Sequence, residues 1–303
     1  MMKIEPKPSR KDNQHVVPRI YLKYWKIAKD KNFVYGIDFS NKYKKRVQEF
    51  GLNHKVFKER KYYCNPSFSN PYIIEDLLGN EIEPRYDEIM DEVTREINLS
   101  FGIREKVIQW LYYSKMRSPI IRNNTARMAS FLYNTSLSLN EQSLRGAEKK
   151  ELVRNETRMA KDVQLNTFAH DGQLESLLTL FIETLNAKHW RILKSIPRFE
   201  FLTNDNPGFS PNTNTLFAKD VPFHHVMEMN ADSMIFYPLS PSYCLEVAPF
   251  VKGTALNVCA MEMEIKYEQA EPELIDFINE GVKYTCSKVV ISSTRNILQH
   301  LLT

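Results

Sequence analysis

The chain has 303 residues, 43% of them apolar and 26% charged, with a formal net charge of +4. Those proportions exclude a low-complexity or fibrous chain, and no apolar run approaches the eighteen or so residues needed to span a bilayer. The charge is unevenly placed: residues 1–64 hold 17 Lys/Arg against 6 Asp/Glu, and the remainder holds 24 against 31.

Residues 1–14 are rich in Lys, Pro, Ser and Asn and lack an apolar h-region. They read as a flexible basic tail, not a secretory signal. Residues 15–29 read as a short helix entered through Pro18, whose ring presets a first helical turn. Three strands follow, over 33–39, 46–50 and 55–63, and together they suggest a small antiparallel meander. A turn-rich boundary at 65–71 precedes two long helical patterns. The first runs from Tyr72 to about Ile97 with a break near Gly79 and Pro84. The second runs from Ile103 to Leu137 and is interrupted at Arg117-Ser118-Pro119. Residues 141–165 read as an exposed helix and Leu174–Leu185 as a compact apolar one. The pattern then returns to β at 190–194 and 199–203, passes a long loop over 204–222, and gives strands at 233–237, 243–247 and 259–265. Helices over 272–284 and 293–302 close the chain.

The fold class is therefore α+β: a β-rich N-terminal part, a helical middle and a β-rich C-terminal part with closing helices. The expected organisation is a single mixed domain over 15–303, with a basic β-rich subdomain at 15–64, a helical part at 72–187 and a β-rich part at 188–303. Cys64, Cys244, Cys259 and Cys286 form no C-x-x-C pair. They read as reduced thiols, which points to a cytoplasmic protein.

Several segments, in order, resemble one bacterial family. His15-Val-Val-Pro-Arg-Ile-Tyr-Leu-Lys-Tyr-Trp25 is similar to the H-x-V-P-x-x-Y-L-x-x-F/W opening of the family named domain of unknown function 4238. Phe33–Phe39 resembles its next strand, and Ile74–Glu83 resembles its acidic helix start. Met116-Arg-Ser-Pro119 resembles its R-x-P step. Phe201-Leu-Thr-Asn-Asp-Asn-Pro207 is similar to F-i-T-S-D-N-P, and Phe236-Tyr-Pro-Leu-Ser-Pro241 to f-P-L-S-P. Asn204 stands where the family has Ser, and Trp25 where Phe is commoner. The resemblance implies one mixed α/β unit and carries no known chemistry.

The residues themselves offer several candidates. Asp205 has the chemistry of a metal ligand, a general base or an orienter for His15, while Asp and Asn ahead of a proline also build Asx-type turns. His15 and Arg19 are four apart, which places them on one face if the helix begins early enough. The alternative is a histidine at the helix entry with Tyr21, Leu22 and Trp25 as core. Arg295-Asn-Ile-Leu-Gln-His300 resembles the Arg/His motif of HEPN-type metal-independent ribonucleases, and a packed terminal helix is the competing reading. Asp232 with Glu264-Ile-Lys266 makes a loose D…E-x-K, a pattern expected by chance in a chain this charged. His224-His225 lack metal-ligand spacing. There is no Walker A, G-x-G-x-x-G or G-x-S-x-G, which disfavours NTPase, kinase, dinucleotide and hydrolase chemistry. No cofactor is indicated.

Two functional expectations survive. In the first, the chain acts on RNA or DNA as a phosphodiesterase or ribonuclease of toxin or phage-defence type, with a homodimer within reach. Lys23, Tyr24, Lys26, Lys44, Lys45 and Arg46 would bind the strand, His15 would transfer protons, Arg19 and Arg117 would stabilise phosphate, and Asp205 would orient or hold a metal. In the second, it is a non-catalytic binding or interaction module whose polar motifs are caps and turns.

Overall fold

The structure, a computed structural model, describes residues 13–40, 45–64, 69–124, 173–214, 218–230, 232–249 and 264–302, with the side chains of 173–177 left aside. Residues 1–12 of the expected tail, Lys44, the helical readings over 125–137 and 141–165, and the strand reading over 259–263 lie outside these residues.

The opening segment is extended before it is helical. Strand β1 (Asn13–His15) pairs antiparallel with β4 (Lys58–Arg60), His15 opposite Lys58, and the N–H of Val16 donates to Phe57 O at 2.9 Å. The residue before a proline favours extended backbone, so helix α1 begins only after Pro18 and covers Arg19–Lys23. The predicted helix over 15–29 is thus shortened at both ends, and His15 and Arg19 do not share a helical face.

Strands β2 (Phe33–Asp38) and β3 (Val47–Gly51) form the expected hairpin. The third predicted strand does not extend it. A 3-10 turn at Lys55–Phe57, capped by His54 Nδ1 accepting from Val56 N at 3.2 Å, turns the chain away so that β4 pairs with β1.

In the helical part, α2 (Ile73–Leu77) runs into a π turn at Leu78–Ile82, and α3 (Arg85–Thr94) starts after Pro84. Helix α4 (Phe101–Met116) is capped by Ser100 Oγ accepting from Ile103 N. It stops where predicted, at Arg117-Ser118-Pro119, because a proline brings no N–H to the ladder; the helix resumes over 119–124. Helix α5 covers Gln173–Asn186.

The C-terminal part contributes β5 (His189–Lys194), β6 (Thr203–Asn204), β7 (Ser210–Pro211), β8 (Phe223–His224), β9 (Ile235–Ser240), β10 (Tyr243–Ala248), β11 (Lys266–Gln269), helix α6 (Pro272–Tyr284), β12 (Val289–Ser292) and helix α7 (Arg295–His300). One four-stranded sheet has the order β11-β5-β10-β9, with β11 parallel to β5 and the other pairs antiparallel. The other has the order β3-β2-β12-β6 and is antiparallel throughout. Strand β12 sets Val290 opposite both Ile37 and Asn204. The basic N-terminal hairpin therefore shares a sheet with the C-terminal part, and one continuous apolar core runs through the described elements. The fold is mixed α+β: N-terminal strands, helices over 73–124, and C-terminal strands with closing helices.

Aromatic rings of the opening segment fill the seam between helices and sheets. Tyr21, Trp25, Tyr86, Trp110 and Tyr237 are fully buried, with ring centroids 4.3 Å apart for Tyr86–Trp110 and 5.5 Å for Tyr21–Tyr86. Such pairs add roughly 0.5–1.5 kcal/mol each beyond their burial.

Candidate functional site

The expected long loop over 204–222 begins instead as an interior segment. Residues 201–210 are all buried, and five of them (Thr203, Asn204, Asp205, Asn206, Ser210) are polar. Buried backbone needs partners, and neighbouring elements supply them. Leu202 N donates to Asn279 Oδ1 at 2.7 Å, Asp205 N to Val289 O at 3.2 Å, Asn206 N to Asn204 Oδ1 at 2.7 Å, and Phe209 N to Phe236 O at 3.0 Å. Gly208 sits at φ +81, where a Cβ would lie 2.6 Å from the Tyr237 ring, so only glycine fits both the backbone and the space.

Side chains from the opening segment and from the helix break end on this segment. From the opening segment, Tyr21 Oη donates to Pro238 O at 2.7 Å and accepts from Thr203 Oγ1 at 2.6 Å. From the helix break, Ser118 Oγ donates to Asn206 Oδ1 at 2.7 Å. Asn206 Nδ2 in turn donates to His225 O at 3.0 Å and Thr285 O at 3.1 Å. Asn204 Nδ2 donates to Val282 O at 2.5 Å, which ties the segment to α6.

Two buried basic side chains stand at and just beyond the end of α4, and the first of them reaches this segment. Lys115, at the end of α4, directs Nζ at the carbonyls of Asn206, Pro207 and Gly208, at 3.4, 3.4 and 2.5 Å. Three carbonyl oxygens match the three N–H bonds of an ammonium. Burial pushes its pKa down, and the charge of Asp205 works against that. Its stem also walls an apolar pocket of about 210 Å³ with Tyr112, Met116, Phe181 and Met227. Arg117 is 2% exposed. Its Nε donates to Tyr63 Oη (3.1 Å), Nη1 to Glu83 (3.0 Å) and Nη2 to His15 O (3.1 Å). Burial alone would lower its pKa; Tyr63 and Glu83 more than compensate, so it is fully charged.

Asp205 is 3% exposed. Its Oδ1 accepts from Ser287 N at 2.9 Å and Lys288 N at 3.1 Å, with Cys286 Sγ at 3.7 Å. Its Oδ2 is buried without a hydrogen-bond partner among the described residues. Burial raises its pKa against the pull of the Lys288 and Ser287 N–H groups. His15 lies elsewhere: its ring Nε2 meets Leu52 O at 3.4 Å. A chain of contacts runs between the two regions. Lys288, whose N–H serves Asp205, reaches Glu59 with its Nζ at 2.6 Å, and Glu59 faces Gln14 in the β1–β4 pair. Glu59 also takes Arg122 at 2.9 Å.

The remaining candidates are scattered. Arg19 is exposed on α1. Lys23 and Tyr24 are engaged with Asp87 of α3, at 3.0 and 2.7 Å, and Lys26 Nζ donates to Lys29 O. Lys45 lies over the Phe39 ring at 5.4 Å, and Lys45 and Arg46 are exposed at the hairpin turn. Arg295 and His300 are both exposed on α7, a six-residue helix. That helix is tied down at its start by buried Glu200, which accepts from Ser293 Oγ (2.6 Å), Thr294 N (3.1 Å) and Thr294 Oγ1 (2.9 Å). No group of three or more His, Cys, Asp or Glu among the described residues is placed to hold a metal ion, and no described helix is long and apolar enough to cross a membrane.

Sequence reasoning passed over Lys115, Ser118, Asn206 and Cys286. Ser118 directly follows Arg117, Lys115 stands two residues before it, and Asn206 is inside the T-N-D-N-P motif. Their long-range partners lie 79 to 93 residues away, and nothing linear marks that pairing.

His225 supplies a pH signature. Burial lowers its pKa, and nearby Lys115 and His224 add to this although Thr285 O opposes it. A histidine depressed in the folded state stabilises the fold fully above its unfolded pKa, about 6.5. That stability is lost as pH falls through the lower, folded value. Thermal melts between pH 7.5 and 5 are expected to show a falling midpoint that flattens in His225→Gln; an equally steep fall in the variant would remove His225 as a cause.

No curated protein and no solved structure matches the chain. A family model described as a protein of unknown function, DUF4238, matches residues 13–296. That range is nearly the whole chain, and the chain belongs to the DUF4238 family.

Proposed function

We propose that this protein is a nucleic-acid-binding module that holds its ligand by the phosphates and does not cleave it. The observation that carries the reading is the state of the basic N-terminal surface. Arg19, Lys29, Lys31, Lys45, Arg46 and Lys55 are exposed and form no ion pair with a described carboxylate. Lys29, Lys31 and Lys55 stand at one end of the β2–β3 hairpin, and Lys45 and Arg46 stand at the other. The six residues of β2 put about 20 Å between them, a spacing that several phosphates of one strand cover. Most of the aromatics in this part are buried, so they serve the core and not the ligand.

The same geometry weighs against catalysis. Asp205, Lys115 and Arg117 are buried and engaged with their neighbours, and His15 is turned to a backbone carbonyl. A second reading, phosphodiester cleavage, keeps one supporting observation, the unpartnered Oδ2 of Asp205.

The test is a binding and cleavage assay on labelled RNA and DNA, with and without divalent metal. Wild type is expected to bind and leave the strands intact. Lys45→Glu with Arg46→Glu is expected to weaken binding about tenfold or more. Cleavage abolished by Asp205→Asn would instead establish the second reading.

A further inference from the structure

The hairpin end that carries Lys29, Lys31 and Lys55 also carries an aromatic ring that the core does not use. Phe33 is 45% exposed, although it is the first residue of β2 and both of its strand neighbours in the sheet order are built into the fold. Opposite it in β3 is Gly51. The Phe33 ring edge lies 3.8 Å from where a Cβ at 51 would stand. The facing residue therefore brings no side chain to cover the ring.

The backbone holds this ring and the three lysines together. Lys31 N donates to Ala28 O at 3.1 Å and Ile27 N to Phe33 O at 3.0 Å, which folds 27–33 into a tight turn. Leu52 N donates to Asn32 O at 3.1 Å, and His54 N to Gly51 O at 2.7 Å. The turn that carries Lys55 is thereby pinned beside Phe33. Asn53 is exposed in the same turn, and Asp30 is the carboxylate between Lys29 and Lys31. Three cations, one anion and an uncovered aromatic face make a patch that suits a π-faced, phosphate-bearing ligand. In a duplex both faces of each base are already stacked, so an aromatic ring finds its partner in an unpaired base.

We propose that Phe33 is a stacking platform for one unpaired base of single-stranded nucleic acid, with Lys29, Lys31 and Lys55 holding the flanking phosphates. The inference rests on the nucleic-acid-binding reading above and adds the strand type and the anchoring residue. Base and charge separate cleanly in a comparison of two probes: a fluorescein-labelled dT decamer, and an abasic decamer with the same number of phosphates.

Fluorescence anisotropy of wild type is expected to show tighter binding to the dT decamer than to the abasic one. Phe33→Ala is expected to weaken the dT complex by about tenfold, to the level of the abasic probe, while leaving the abasic affinity and its salt dependence unchanged. Phe33→Trp is expected to restore the preference, with its indole emission quenched on binding dT. Phe33 lies outside the core, so an unchanged melting curve shows that each variant is folded. Equal dT affinity for Phe33→Ala and wild type would overturn the platform and leave phosphate binding standing, as would tighter binding of a decamer duplex than of the dT strand. If neither decamer binds wild type, the binding reading itself fails and the platform with it.

Discussion

Arg117→Met is expected to lower the unfolding free energy by roughly 3–5 kcal/mol, the range for removing one partner of a buried, hydrogen-bonded charge pair. The guanidinium serves three acceptors from three parts of the chain: Tyr63 Oη, Glu83 and His15 O. Removing it leaves those groups facing an apolar side chain, with Glu83 only 23% exposed and unable to recover full hydration. Lysine is expected to recover little, because a single ammonium cannot reproduce the planar fork that reaches three separated acceptors. Urea unfolding of wild type, Arg117→Met and Arg117→Lys measures this. A loss below about 1 kcal/mol in Arg117→Met would show that the residue is dispensable to the fold and would free it for a phosphate-binding role.

Asn206→Asp is expected to cost roughly 3 kcal/mol or more at neutral pH. The substitution is nearly isosteric, so packing is preserved and only hydrogen bonding changes. Asn206 Nδ2 donates to two carbonyl oxygens, of His225 and Thr285. In the aspartate an acceptor oxygen faces both, and an unpaired charge is buried with it. Because protonation of the new carboxyl relieves the charge, the deficit is expected to shrink as pH falls toward 4. A pH-independent deficit would place the cost in backbone rearrangement instead.

Much of the architecture was legible in the sequence because its signals are local. The break at Arg117–Pro119 follows from proline chemistry, the β2–β3 hairpin from alternation, and α6 from Pro272 at its first turn. What was not legible is non-local. Strand β12 lies about 250 residues beyond β2, yet it joins the hairpin to β6. Lysine in a helix ordinarily reads as a solvent-facing cation, and only the tertiary approach of 206–208 makes Lys115 a buried one. The asparagines and proline of 204–207 carry turn chemistry, and a turn is what they make; its burial comes from α4, α6 and β12 closing over it. The candidate site divides in the same way. His15 and Asp205 looked like partners by residue type, whereas Leu52 O and the Ser287 and Lys288 N–H groups are what they meet.

The basic surface is the part of the account whose meaning lies outside the fold. It was visible as composition, and the structure places Lys29, Lys31 and Lys55 at one end of one hairpin and Lys45 and Arg46 at the other, while Lys23 is drawn to Asp87. A surface of that kind binds by releasing counterions, and counterion release has a slope. The decisive measurement is the affinity of wild type for a single-stranded decamer as salt is raised from 50 to 200 mM. Four or five phosphate contacts predict that log K falls against log[salt] with a slope of about −3, roughly a sixtyfold loss over that range. A slope near zero, or no binding at 50 mM, would contradict the account.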